Sequence, residues 1–247
     1  MAEEKLTTMV TKVRIGFIGS SPPASPHHES FKALIPGNID MTFVQEANPG
    51  ASLWDARGKV DALIDQAARL ITDKSWDGVI VSGGPREVLN PGFYERLSAG
   101  LKVPAATALR SSAVALQVFG VKRALLMTPV DDKLKDLYRD YLAQFGVEAV
   151  YPPQTLRAHT DAQKLSSAEV ESMTKNCFTE QPGADGIYFQ GALLDPLKVL
   201  DKLETDLAAP IVASNPAMLW FVLSKLGLRY EIAGYGRLLR SWPRLRS

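Results

Sequence analysis

The chain carries three histidines and a single cysteine, Cys177, so an imidazole is the neutral-pH proton carrier it has to offer. His27 and His28 follow the first apolar run, and His159 follows a run that ends near Tyr151. Two candidate catalytic residues, His28 and His159, therefore fall on loops that would rim a shared cleft. The pair His27-His28 beside Glu29 also has the donor types of a metal site, but adjacent histidines need a third ligand from elsewhere, and no metal is expected. Two glycine turns add a second kind of chemistry. Gly83-Gly84 closes the apolar run 78–81, and Gly191-Ala192 closes the run 186–189. Glycine there permits positive φ and close backbone approach, and consecutive N–H groups in such turns form concavities that hold anions. A tight strand-to-helix turn would use glycine in the same way, but the paired occurrence favours a site. Gln190 and Asn215 add neutral hydrogen-bonding groups. Arg86 and Arg110 lie just beyond expected strand ends, where a guanidinium serves either a carboxylate or a surface salt bridge.

The elements that must position these groups are legible as alternating short apolar runs and amphipathic stretches, the signature of βα units around a mostly parallel sheet. Strands are expected at 13–18, 41–44, 78–81, 105–106, 124–127, 149–151, 186–189 and 211–213. Helical stripes run through 52–73 (Leu53, Val60, Leu63, Ala67, Leu70), through 134–145 (Leu134, Leu137, Tyr138, Tyr141, Leu142) and through 197–207. Cys177 follows Met173 by four residues on an apolar helix face, the place of a small hydrophobe rather than a nucleophile. Asp131-Asp132-Lys133 reads as a helix start. Trp54, Trp76 and Trp220 read as packing aromatics, with Trp220 close enough to the second turn to line the cleft.

The order of these pieces repeats. Arg14-Ile15-Gly16-Phe17-Ile18, Trp76-Asp77-Gly78-Val79-Ile80-Val81 and Val103-Pro104-Ala105-Ala106 have counterparts in Arg123-Ala124-Leu125-Leu126-Met127, Ala184-Asp185-Gly186-Ile187-Tyr188-Phe189 and Ala209-Pro210-Ile211-Val212. Two α/β lobes facing one another follow, with 1–115 and 216–247 in the first and 116–215 in the second. Open parallel sheets bind ligands beyond the carboxyl ends of their strands, which places both glycine turns in one cleft.

Bulk properties narrow the class. Hydrophobic residues make up 46% and charged residues 22% of 247 residues, enough for a sizeable core. The net charge of +1 argues against a nucleic-acid or membrane-surface binder. No apolar run approaches the ~20 residues that cross a bilayer, and the polar start lacks a signal-peptide core, so a cytoplasmic location is expected. Arg237, Arg240, Arg244 and Arg246 form a solvated or subunit-packing tail, which leaves homo-oligomerisation open.

The segment from Gly186 to Asp195, followed by Ala209-Pro-Ile-Val-Ala-Ser-Asn-Pro-Ala-Met-Leu-Trp220, resembles the second-lobe signature of maleate isomerases and arylmalonate decarboxylases in the aspartate/glutamate racemase superfamily. The run Gly120–Thr128 with Asp131-Asp132 is similar to their interlobe crossing, and Gly234–Leu238 to the decarboxylase tail. The resemblance implies a pseudo-symmetric α/β fold with a cleft between lobes. It places Ser20 and Ser21 among substrate-contacting residues, and offers Glu29 a place near a helix start. It also aligns the family's two cysteines with Gly83 and Gly191, its Thr-Ser pair with Gly84-Pro85, and a decarboxylase tyrosine with Pro129-Val130. The implied activity is cofactor-independent decarboxylation or isomerisation of a small carboxylic acid, such as one of the aryl- or alkylmalonate type, without a thiol. A hydratase or lyase using histidine, or a small-carboxylate binder that has lost catalysis, stand as alternatives.

Overall fold

The computed structural model describes residues 12–152, 162 and 164–245. All eight expected strands form: those at 78–81, 186–189 and 211–213 keep their bounds, the one expected at 149–151 begins and ends one residue earlier, and the other four are longer by one to three residues. β1 (Val13–Gly19), β2 (Ile39–Gln45), β3 (Gly78–Val81) and β4 (Ala105–Thr107) make one parallel sheet in the order β2-β1-β3-β4. β5 (Arg123–Met127), β6 (Glu148–Val150), β7 (Gly186–Phe189) and β8 (Ile211–Ala213) make a second in the matching order β6-β5-β7-β8. The two lobes are thus copies of one topology. Every residue of β3 and of β7 is buried, which is why both read as unbroken apolar runs.

The repeated Asp-Gly has a structural cause. The Asp77 carboxylate accepts from the Arg14 backbone N–H at 2.8 Å, and Asp185 accepts from those of Lys122 and Arg123 at 2.8–3.1 Å. Each aspartate so anchors the start of the neighbouring strand. The proline-led strands act alike, since the carbonyls of Pro104 and Pro210 each accept from β3 and β7 at 3.0 Å.

The helices are α1 (Glu29–Lys32), α2 (Val60–Lys74), α3 (Gly84–Leu89), α4 (Phe93–Gly100), α5 (Ala108–Val118), α6 (Asp132–Ala143), α7 (Ser167–Thr179), α8 (Leu200–Leu207), α9 (Ser214–Lys225) and α10 (Arg237–Ser241). Asp131 caps α6, accepting from the Leu134 N–H at 2.9 Å, as the sequence implied. Cys177 lies buried on α7, where burial pushes its thiol up. α9 is apolar almost all round and lies in the middle of the molecule. It packs against α5 and crosses onto β3 and β4, while α5 lies on β7 and β8. The helix that leaves the last strand of each sheet therefore covers the other lobe's sheet.

Two expected stripes are broken. The stretch 52–73 splits into a 3-10 turn, Leu53–Ala56, and α2, because Gly58 takes φ of +74° and its N–H goes to Asn90 Oδ1 at 2.8 Å. The stretch 197–207 likewise opens with a 3-10 turn at Leu197–Val199. Among the described residues, no helix is long and apolar enough to cross a membrane.

Candidate active site

A cavity of about 310 Å³ lies between the strand ends of the two sheets. The turn after β3 supplies Ser82, Gly83 and Gly84; the turn after β7 supplies Gln190, Gly191 and Ala192. Ser20, Ser21 and His28 enter from the loop after β1, and Ser214 and Asn215 from the start of α9. Phe17, Phe31, Leu53, Val130, Leu193 and Met218 supply its apolar lining. Leu53 reaches it because the 3-10 turn releases it from the α2 stripe. No Asp, Glu, Lys or Arg lines the cavity among the described residues, and His28 and Tyr138 carry its titratable protons.

The two glycines sit on opposite walls but in different surroundings. Gly83 has φ of +104°, and a Cβ built on it would lie 2.1 Å from Arg86 Nη1. Arg86 is held there from behind: Nη1 donates to the Ser82 carbonyl, and Nη2 pairs with Glu46 at 2.5 Å with both side chains nearly buried. The expected carboxylate ligand Arg86 is therefore a wall support and does not line the cavity. Gly191 has φ of +88°, with open space where a Cβ would project. Its N–H donates to Ser214 Oγ at 3.2 Å, and that hydroxyl also meets Phe189 O at 3.3 Å and Tyr188 Oη at 3.2 Å. One amide expected to cradle an anion is thus already engaged. The N–H groups of Gly83, Gly84 and Ala192 have no acceptor among the described residues.

Arg110 points elsewhere. Its guanidinium stacks on Tyr94 and Phe145, 4.7 and 5.1 Å from the ring centroids, and pairs with Glu95 at 3.2 Å. It belongs to a second cavity of about 220 Å³ at the outer side of α3 and α6, floored by Glu87. The buried Glu87 carboxylate accepts from the Leu109 N–H at 2.7 Å, the Arg110 N–H at 3.1 Å and Tyr141 Oη at 2.8 Å. Burial pushes it up to about 7 against the pull of these donors. It joins α3 and α5 to α6 of the other lobe.

His28 is 6% exposed and sits among Phe17 and Phe43, with ring centroids 5.4 and 4.7 Å away. His27 belongs to the same 3-10 turn. His159 lies outside the described residues. Glu29 turns outward to Lys32 at 2.8 Å, and no group of three or more His, Cys, Asp or Glu is placed to hold a metal ion among the described residues. Trp220 is fully buried with Nε1 on the Pro243 carbonyl at 2.9 Å, so it does not line the cleft. Two contacts tie the lobes across the rim: Ser30 Oγ to Asp195, and Trp54 Nε1 to Asp131 Oδ2 at 3.1 Å.

Sequence reasoning missed Ser82, Ser214 and Tyr138. Tyr138 belongs to the α6 apolar stripe and is fully buried there, but the residue also lines the cavity, and its hydroxyl lacks a hydrogen-bond partner among the described residues. The available signal was chemical: a tyrosine within an otherwise apolar face has a hydroxyl that must be served somewhere.

The family model of arylmalonate decarboxylase matches residues 86–239. Among solved structures, unliganded arylmalonate decarboxylase is 22% identical, with 93% of this chain and 99% of that chain covered at a TM-score of 0.75. The maleate isomerase Iso from Pseudomonas putida S16 is 17% identical, with 93% and 99% covered at a TM-score of 0.73. A maleate cis-trans isomerase mutant from Nocardia farcinica, holding a covalently bound succinylcysteine intermediate, is 17% identical over 93% and 98% at a TM-score of 0.66. At these identities the structures establish the shared fold. No curated protein matches the sequence.

Proposed function

Because the chain belongs to the arylmalonate decarboxylase family, we propose that it is a cofactor-independent decarboxylase or isomerase of a small carboxylic acid, aryl- or alkylmalonate-like, working without a cysteine. The observation that carries this reading is the cavity between the two glycine turns, lined among the described residues by apolar side chains and neutral hydrogen-bonding groups and by no Asp, Glu, Lys or Arg. A carboxylate placed against the apolar lining loses its hydration. Its C–C bond electrons pass to the α-carbon and spread into the remaining carboxylate as carbon dioxide leaves. Neutral donors that meet the growing enolate charge lower the barrier without having to reorganise. The α-carbon then takes a proton from His28 or from water, with Ser20, Ser21, Gln190 and Asn215 fixing the acid.

The test is a panel of aryl- and alkylmalonates in deuterated water, following substrate loss and α-deuteration by NMR. Turnover of at least one malonate with one deuteron fixed at the α-carbon is expected. Inactivity across malonates, maleate and amino-acid enantiomers would overturn the proposal.

One observation favours a non-catalytic carboxylate binder instead: Arg86 occupies the space that a side chain at Gly83 would need, so that wall presents no reactive group. Replacing His28→Gln separates the two. Turnover falls in an enzyme, whereas a binder shows no turnover and keeps its ligand-induced melting shift.

A further inference from the structure

Tyr138 stands on α6 in the second lobe, and its hydroxyl approaches the first-lobe turn at Gly84. A Cβ built on Gly84 would lie 3.1 Å from Tyr138 Oη and 2.4 Å from Gln190 Nε2. Both groups thus converge on the face of Gly84 that carries no side chain, and all three residues line the cavity. The amide is oriented: Thr128 Oγ1 donates to Gln190 Oε1 at 2.8 Å, which turns the two N–H bonds of Nε2 away from Thr128 and towards Gly84. Gln190 is 5% exposed, so this orientation is fixed by its surroundings. The tyrosine hydroxyl is enclosed, with no partner among the described residues. A buried hydroxyl without a hydrogen bond is a standing cost of folding, and such groups recur where a ligand completes the network.

We propose that the Tyr138 hydroxyl and the Gln190 side-chain amide together grip a ligand carboxylate, making Tyr138 a substrate-binding residue of this cavity. The inference rests on the carboxylic-acid reading above and names the groups that recognise the acid. Two donors from separate elements suit an acceptor-only group with two oxygens, which a carboxylate is and an amide or alcohol is not. Burial pushes the Tyr138 hydroxyl well above its ordinary range, so it stays protonated and acts as a donor throughout the pH range of the protein. No Lys or Arg lines the cavity among the described residues, so these two neutral donors carry the recognition that an arginine fork would otherwise supply.

Tyr138→Phe tests this directly, because it deletes an unpartnered oxygen and leaves the ring in place. Wild type and variant are compared by thermal melting and by calorimetric titration with phenylmalonate, with its neutral diamide as control. The variant should melt at or above the wild type without ligand, and bind phenylmalonate roughly 10- to 100-fold more weakly, the usual worth of a hydrogen bond to a charged acceptor. Its binding of the diamide should be unchanged. Equal phenylmalonate binding by both proteins overturns the role of Tyr138 while leaving the carboxylic-acid reading intact. A lower melting point for the unliganded variant also overturns it, since the hydroxyl then serves the fold. If the wild type binds neither phenylmalonate nor malonate, both the reading and the grip fall.

Discussion

The two glycines facing each other across the cavity should respond very differently to the same substitution. Gly191→Cys meets open space, so its cost is the left-handed backbone, φ +88°, that a side chain must adopt. That strain is about 1–2 kcal/mol, or roughly 2–8 °C in Tm for a chain of this size. Gly83→Cys carries similar strain at φ +104°, and its Cβ would lie 2.1 Å from Arg86 Nη1. Arg86 would have to leave the Ser82 carbonyl and the nearly buried Glu46 carboxylate. Separating such a pair costs a further ~3–5 kcal/mol, which sets the Gly83 variant roughly 6–20 °C below the Gly191 variant. Calorimetric melting of both variants measures this. A thiol-reactive dye gives a second reading, because the native Cys177 is buried and slow while a thiol at 191 faces the cavity. Malonate should protect that thiol from the dye. Equal melting of the two variants, or a Gly83 variant within a few degrees of wild type, would refute the view that Arg86 is locked behind the first wall.

Glu87 and Ser214 yield two more expectations. The carboxyl of Glu87 is raised from 4.5 to about 7 in the folded protein, so the fold holds a proton that the unfolded chain has released. Its contribution is therefore complete below about pH 4.5 and is lost as pH rises towards 7, on the order of 3 kcal/mol across that window. Glu87→Gln keeps an acceptor for Leu109 and should flatten the urea-unfolding free energy between pH 5 and 7.5; an unchanged slope would remove Glu87 as its source. Ser214→Ala leaves the Gly191 N–H and the Tyr188 hydroxyl each short of a partner and should cost about 1–3 kcal/mol, with a rise in the hydrogen-exchange rate of the Gly191 amide. A Gly191 amide that exchanges no faster in the variant would contradict that assignment.

The strands were legible because each lobe repeats the same local devices. An aspartate anchors the neighbouring strand, a glycine opens the central strand, and a proline carbonyl starts the next pairing, and all three leave residue-type traces in the chain. The glycine turns were legible for the same reason, and Ser20, Ser21, His28, Gln190 and Asn215 do meet at the cavity they flank. The arginines were not. A guanidinium at the end of a flexible stem goes where its counter-charge lies, and Glu46 and Glu95 sit far from Arg86 and Arg110 along the chain. Tyr138 was hidden by periodicity: its ring belongs with Leu134 and Leu142, and only its oxygen belongs to the site. The single helix expected over 52–73 failed at Gly58, whose hydrogen bond to Asn90 is a long-range contact with no local signature.

The exchange of α5 and α9 between the sheets bears on how the chain acquires its shape. The sequence reads as two consecutive repeats, and each brings helices that pack on its own sheet, α2 and α4 in the first, yet each also takes a covering helix from the other repeat. A first half released from the ribosome would hold the cluster that α2 and α4 close over Ile18, Val79 and Val81, but would lack α9 over β3 and β4 and would leave α5 without β7 and β8. Gly78 shows how close that fit is, since a Cβ there would come within 3.1 Å of Val222 on α9. The larger core, which runs through both sheets, is therefore complete only once α9 is in place, and cooperative unfolding of the two repeats is the expected consequence. An isolated half could cover the face that α5 or α9 leaves open by trading that helix with a second copy of itself, a role that the covalent link between the repeats fills here.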